Sequence, residues 1–329
     1  MSKKITKLIL LLFLILSCTG KESSSGDINQ LTIISSAKDR IESEHIVEYF
    51  FNKRFINTPQ KEYVYSINWA QLEDINNAKL SKNLLFISLT YPADSTIDIL
   101  VEKIKNNNNI SNRISSLTDL FAINQKAIIL QSTDTIELES LLSANFRWIT
   151  SEFNENIYSN YHKYITSKGQ NIELESFLAD KFNISIFVQE DYKLIKHQDD
   201  FAWIGRGYPY RWIIFRRFKK DEIDQMLNSY ALFENILKNN NIDINLYNGY
   251  RKKTGLDREY INLDVYRGVY DHEERQTGGP FALYLLDNIN SDEVILVASI
   301  INNPGNTKMP HLLQMDAVIK NIKFLEEEE

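Results

Sequence analysis

Five histidines, His45, His162, His197, His272 and His311, are the first residues to weigh for metal or acid–base chemistry. Their spacing offers neither. No His-Glu-x-x-His pair sets two imidazoles on one helix face, and the single cysteine, Cys18, lies in the leader, so a zinc set has no thiolate to draw on. No Gly-x-Ser-x-Gly turn presents a nucleophile. Gly205-Arg206-Gly207 lacks the third glycine and the following helix that a dinucleotide needs. Carboxylates are plentiful, and a pair flanking a glycosidic bond is one open reading, because sequence does not give their separation. No catalytic residue, metal ligand or cofactor is assigned on these grounds.

Two stretches have chemistry suited to binding. Trp203, Arg206, Tyr208, Tyr210, Arg211, Trp212, Arg216 and Arg217 form an aromatic and basic interval. Ring faces and guanidinium forks suit sugars or anionic ligands. The same residues fit core aromatics with arginines at strand ends, because alternate strand residues point to opposite faces. Gly278-Gly279-Pro280-Phe281 offers close backbone approach to a partner, or else a tight entry into a strand, where a proline without N–H is tolerated. The candidate binding surface is therefore Trp203, Arg206, Arg267, Gly278, Gly279 and Pro280.

The leader has its own chemistry. Lys3, Lys4 and Lys7 precede Leu8–Leu16, an apolar run too short to span a bilayer, which needs roughly 20 residues. Ser17 then stands directly before Cys18. Ile15-Leu16-Ser17-Cys18 resembles the bacterial lipobox, with Leu16 a less usual residue at its position. The resemblance implies cleavage before Cys18, a diacylglycerol on its thiol and a fatty acyl chain such as palmitate on its amine. A plain secretory signal and a membrane-anchored cytoplasmic tail are the alternatives. Thr19–Asp27 is rich in serine and glycine and reads as a flexible tether over 18–29. No aspartate follows Cys18, which points to the outer membrane. The expected partners are the lipid bilayer, through acylated Cys18, and envelope proteins or glycans.

The whole chain of 329 residues carries a net charge of −7, and loss of the three leader lysines takes it to −10. Such a surface does not suit nucleic acid or anionic lipid. Hydrophobic residues at 43% and aromatics at 12% belong to a globular chain with a sizeable core. The reading divides it into a signal peptide over 1–17, the tether, an N-terminal α/β half over 30–169 and a C-terminal α+β half over 170–329.

Periodicity places the elements. Strands are predicted over 31–35, 63–67, 83–90 and 126–131, with helices over 37–55 and 96–105. In the first helix, Ile41, His45, Tyr49 and Phe51 are taken as one face. Asp134 and Glu137 read as a capping box that opens a helix of some thirty residues, with Leu138, Leu142, Ile149, Phe153, Ile157, Tyr161 and Tyr164 in phase. It ends at Ser167-Lys168-Gly169. A helix over 172–182 follows, then short strands over 183–189, 192–196, 201–205 and 210–218. A helix is predicted over 221–239, a meander over 263–270, 280–286 and 294–301, and a last helix opened by Pro310. Strand blocks separated by helices indicate an α+β fold with mainly antiparallel sheets and one long helix in the middle of the chain.

Several of these segments resemble a family of Bacteroidota lipoproteins, domain of unknown function 4837. They are Pro59-Gln60-Lys61-Glu62, Asn83–Ile87, Ile184–Tyr192 with Phe201-Ala202-Trp203-Ile204, Arg267-Gly268-Val269-Tyr270 with Gly278-Gly279-Pro280-Phe281, and the helix around Leu312–Ile322. Tyr270 and Thr277 depart from the family's tryptophan and methionine. The resemblance implies an envelope lipoprotein without an assigned activity. The C-terminal half also resembles Mog1 and PsbP folds in pattern. A non-enzymatic binding or scaffolding domain at the outer membrane is the expectation. A cell-wall or polysaccharide hydrolase using a carboxylate pair, and a small-ligand carrier, are the alternatives.

Overall fold

The computed structural model describes residues 20–91, 95–224, 229–258, 261–272, 274–288 and 291–325. The leader and Cys18 lie outside them. The chain forms two compact units, one from residues up to Arg40 with Asn68–Leu138, the other from Ile41–Ile67 with Glu139–Glu329.

The first unit is built on a five-stranded sheet. Its strands are β1 (Gln30–Ile34), β4 (Ser66–Ala70), β5 (Asn83–Leu89), β6 (Ile114–Thr118) and β7 (Lys126–Ser132), in the order β4-β1-β5-β7-β6. β1, β5 and β7 run parallel, and β6 pairs antiparallel with β7. All seven residues of β5 are buried, as a parallel strand covered on both faces requires. Helix α3 (Ser95–Asn107) sets Ile97, Val101 and Ile104 one turn apart against Leu84, Phe86, Ala127 and Ile129. A short helix, α2 (Ile75–Ala78), precedes β5.

Within the tether predicted over 18–29, the described residues Glu22–Gly26 bond to the first unit. The backbone N–H of Ile123 donates to the carbonyl of Glu22 at 2.8 Å, Ser24 donates to Ile123 at 2.9 Å, and Ser25 donates to Leu80 at 2.8 Å. The Lys82 ammonium reaches the carbonyls of Ser24 and Gly26 at 3.3 and 3.0 Å. A serine- and glycine-rich segment reads as a linker by composition, yet its bare backbone is what lets it lie along another chain segment.

In the second unit, seven antiparallel strands form one sheet. They are β9 (Lys193–Gln198), β10 (Phe201–Arg206), β11 (Tyr210–Lys219), β12 (Asn245–Arg258), β13 (Ile261–His272), β14 (Thr277–Asp287) and β15 (Glu293–Asn302), in the order β12-β13-β14-β15-β11-β10-β9. Helix α7 (Ser229–Asn239) lays Tyr230, Phe233, Ile236 and Leu237 on the face formed by Ile214, Phe281, Leu283, Leu296, Ala298 and Ile300. Helix α8 (Met309–Lys320) takes Asp316 to Arg267 and Tyr284, which alternate with that apolar set and so project from the opposite face. The strand pairs β2 (Arg54–Asn57) with β3 (Lys61–Tyr63), and β8 (Ile184–Ser185) with β16 (Lys323–Phe324), are small additions. With α6 (Lys220–Asp224), these elements make an α+β fold.

Helix α4 (Thr135–Thr166) has 32 residues, roughly 48 Å of helix at 1.5 Å per residue. Asp134 accepts the Glu137 N–H at 2.9 Å, while the Glu137 carboxylate reaches back to the N–H and hydroxyl of Thr133 at 2.6 and 2.8 Å. Leu142, Ile149, Phe153, Ile157 and Tyr161 are buried as predicted, but Ile165 takes the place expected of Tyr164, which is exposed. Phe146 meets the rings of Phe50 and Phe51 at 5.3 and 5.4 Å, and Tyr65 stacks edge-on to Phe153 at 6.3 Å. These contacts draw Ile41–Ile67 into the second unit, so the compact units do not follow a division at Gly169. The first helix, α1 (Ala37–Phe51), stops short of the predicted Phe55. Its buried face is Ile46, Val47, Phe50 and Phe51, whereas Ile41, His45 and Tyr49 are exposed. Helix α5 (Ile172–Phe182) matches its predicted span, capped by the Asn171 side chain on the Leu174 N–H.

Candidate functional site

Glu62 is fully buried at the start of α8. Its carboxylate accepts the backbone N–H of Lys308 at 2.9 Å, that of Met309 at 2.8 Å and the Thr307 hydroxyl at 2.8 Å. An anion at a helix N-terminus satisfies orphan donors and the helix dipole together. The helix needs this support from outside, because its own N-cap residue, Lys308, makes no side-chain cap. Gln60, two residues earlier, accepts from the Lys308 ammonium, which also donates to the Asn306 carbonyl at 2.7 Å and lies 4.0 Å from Glu62. Burial lowers the Lys308 pKa, and the Glu62 charge opposes that shift.

Beside this fastening lies a cavity of about 600 Å³. Its walls are the β2–β3 turn (Thr58, Pro59, Gln60), the end of the β13–β14 hairpin (Val269–His272 and Gln276–Gly279), Tyr247, and the loop before α8 (Pro304, Gly305, Lys308). Tyr270 is held by its hydroxyl on the Ile301 carbonyl at 3.2 Å, and burial pushes its pKa up to about 12, so it stays a neutral donor. The His272 Nδ1 is buried without a hydrogen-bond partner, and its Nε2 stands 3.7 Å from Asp243. Asp271 is the one carboxylate among the described residues lining the cavity, so it holds no facing pair of the kind a glycosidase uses.

The two glycines of Gly278-Gly279-Pro280-Phe281 are required by backbone crowding. A Cβ on Gly279 would stand 2.0 Å from the Ile301 carbonyl oxygen, and one on Gly278 would stand 2.4 Å from that of Tyr270. The glycines serve strand packing, and they also line the cavity. Pro280 lies opposite Val269, and the β14–β15 register begins one residue later, at Phe281.

The remaining predicted site residues are not gathered at this cavity. Arg267 is 1% exposed, which removes it from any binding surface. It pairs with Asp316 at 2.8 Å and donates through Nε to Thr254 at 3.1 Å, with the Phe55 ring 5.0 Å away. Tyr284 donates its hydroxyl to the same aspartate. Trp203 is half-buried on the α7 side of the sheet, edge-on to Trp212 at 5.9 Å. Arg206 closes the β10–β11 hairpin opposite Arg211 and is not among the residues lining the cavity. Among the described residues no group of three His, Cys, Asp or Glu is arranged to hold a metal ion, and no helix is long and apolar enough to cross a membrane. Glu62, Gln60, Lys308 and Tyr247 were not assigned to a site by spacing, because their meeting spans well over 200 positions of chain.

The second unit is an α+β fold with a fastened helix and a cavity at a hairpin end. Residues 171–321 match the family described as Domain of unknown function (DUF4837). Residues 24–166 match another, Domain of unknown function (DUF8532), so Pro59–Glu62 and Asn83–Ile87 fall within that second match. No curated protein matches the chain. Among solved structures, one from Bacteroides thetaiotaomicron VPI-5482 is 12% identical at a TM-score of 0.29, covering 45% of this chain and 47% of that one. The match therefore spans about half the length of that protein. The Saccharomyces cerevisiae Ran-binding protein Mog1p is 9% identical at a TM-score of 0.29, covering 44% of this chain and 91% of that one. The fold assignment stands on the strand order and register described above.

Proposed function

We propose that this chain is an envelope lipoprotein, held at the outer membrane by acylated Cys18, whose second unit binds a small ligand or the end of an envelope protein or glycan and does no chemistry on it. The observation that carries the binding reading is the cavity at the β13–β14 hairpin. Its volume is within the range of small-molecule sites, and apolar walls with a few fixed polar groups are what such sites use for orientation. Tyr247, Tyr270, Pro59 and Pro304 supply area, and Lys308 and Gln60 supply fixed donors and acceptors. The lipobox-like leader supports the anchoring, and several acyl chains on one residue give a stable hold.

Two experiments test the two parts. Cys18→Ser is expected to move the protein from the membrane pellet to the soluble fraction; unchanged pelleting would remove the anchor. Native mass spectrometry of protein released gently from its own envelope is expected to show a bound small molecule. Val269→Trp, which fills the cavity from a half-exposed position, is expected to lose it while keeping the parent circular dichroism. A ligand-free parent, or equal retention by the variant, would refute the pocket.

A further inference from the structure

The register of β10 and β11 sets Arg206 directly opposite Arg211. Residues facing each other across an antiparallel pair have Cβ atoms about 4.5–5.5 Å apart, and like charges there repel. Arg211 is 6% exposed. Its Nη1 donates to Gln314, a neutral acceptor, and its Nε is buried without a partner. Among the described residues no carboxylate lies within ion-pair distance of it. Arg206 pairs with the half-exposed Asp191 and donates to Gln189 at 2.8 Å, and its Nε is also buried and unpartnered. Gln314 donates to the same Gln189 oxygen at 3.2 Å, so two glutamines tie the two guanidiniums together. Tyr192 lies under Arg206 at 5.7 Å.

Arg267, buried more deeply still and also with one unpartnered nitrogen, Nη1, shows how this fold treats another buried arginine. There Asp316 stands at 2.8 Å, itself held by Tyr284. Arg211 has no such acid, although an uncompensated buried charge is costly and the chain as a whole is acidic. The field of this pair reaches α8: burial first, then Arg211 and Arg206, pushes the His311 pKa down to about 4. Around the pair, Asp191, Tyr208 and Tyr210 are exposed and Arg206 is partly so.

We propose that Arg206 and Arg211 form an oxyanion site that takes a carboxylate or phosphate group of a ligand, the guanidinium forks supplying paired N–H donors. The ligand's negative charge replaces the acid that Arg211 lacks. The site rests on none of the cavity residues discussed above.

The test uses the mature chain with Cys18→Ser, at constant ionic strength in chloride. Calorimetric titrations employ inorganic phosphate, glycerol 3-phosphate and succinate. One saturable site is expected for at least one probe, and Arg206→Gln and Arg211→Met are each expected to weaken it tenfold or more. Preference among the probes identifies the source as free phosphate, a phosphate ester such as a lipid headgroup, or a carboxylate. Arg211→Met is expected to melt no lower than its parent in the same chloride buffer without probe, and the His311 resonance is expected to titrate at higher pH when the site is filled. The proposal is overturned if no probe saturates, if both variants bind like the parent, or if Arg211→Met melts well below the parent without probe.

Discussion

Replacing Glu62 by glutamine keeps the side-chain volume and removes one acceptor oxygen and one charge. The magnitude follows from the contacts. One carboxylate oxygen serves Lys308 N–H, and the other serves Lys308, Met309 and the Thr307 hydroxyl, all at 2.8–2.9 Å. An amide NH2 in either place faces donors and leaves at least one buried N–H unsatisfied, a cost of about 1–3 kcal/mol. The lost charge at the helix N-terminus adds about 1 kcal/mol, since such terms reach about 2 kcal/mol in buried geometry. A destabilisation of about 2–4 kcal/mol is expected. For a unit of about 220 residues, at about 2–4 °C per kcal/mol, that lowers Tm by about 4–16 °C. Scanning calorimetry of the Cys18→Ser chain measures it, and hydrogen exchange localises it: the Lys308 and Met309 amides should lose protection first. A Tm drop below about 2 °C with those amides still protected would refute the capping role.

Asp316→Asn strands the buried Arg267 charge and should cost about 3–5 kcal/mol in urea unfolding, whereas the double change Arg267→Met with Asp316→Leu should recover most of it; a double variant as unstable as the single one would contradict this account. Gly279→Ala, whose methyl meets the Ile301 carbonyl, should fail to give soluble folded protein, while Gly207→Ala, with open space around it, should behave as wild type; a normal Gly279→Ala melt would contradict the close approach. The His311 pKa falls from 6.5 unfolded to about 4 folded, so between those values the unfolded chain holds a proton that the fold does not. Stability should therefore decline as pH drops from about 6.5 to about 4 and level off below. Discounting for partial exposure, the loss is about 2 kcal/mol, read as the difference between wild type and His311→Gln in urea unfolding at pH 7.5 and 4.5. Parallel pH profiles would count against it.

Elements with strong contrast were legible. Asn83–Leu89 is an unbroken apolar run, Asp134 and Glu137 mark a helix start, and helix α5 has both an asparagine cap and a clean period. β6 and β12 were missed for a physical reason: Ile-Ser-Ser-Leu-Thr and Asn245–Arg258 carry few apolar side chains, and backbone pairing to a neighbour makes them strands. The α1 face was misassigned because two sets of apolar residues lie in phase on it, and only the packing of Phe146 selects Phe50 and Phe51. At the site, Gly278 and Gly279 stood out by type. Arg267 looked like a surface group because its acid, Asp316, lies 49 residues away. The Pro59–Glu62 segment was visible as a pattern, but its work is done on a helix on the order of 250 positions later.

The fastening of Glu22–Gly26 along the first unit bears on how the protein stands at a surface. With Cys18 acylated as proposed, four residues lead from it to Glu22, a reach of about 14 Å at most. Part of that length is taken up in the lipid headgroup layer, which is several ångströms thick. The first unit would then hover close above the bilayer, with the edge that carries Leu80 and Ile123 turned toward it. A long linker lets a domain tumble and sweep; a lipid at Cys18 would make this short one a pivot, fixing the standoff and narrowing the orientations from which a partner in the same membrane could approach.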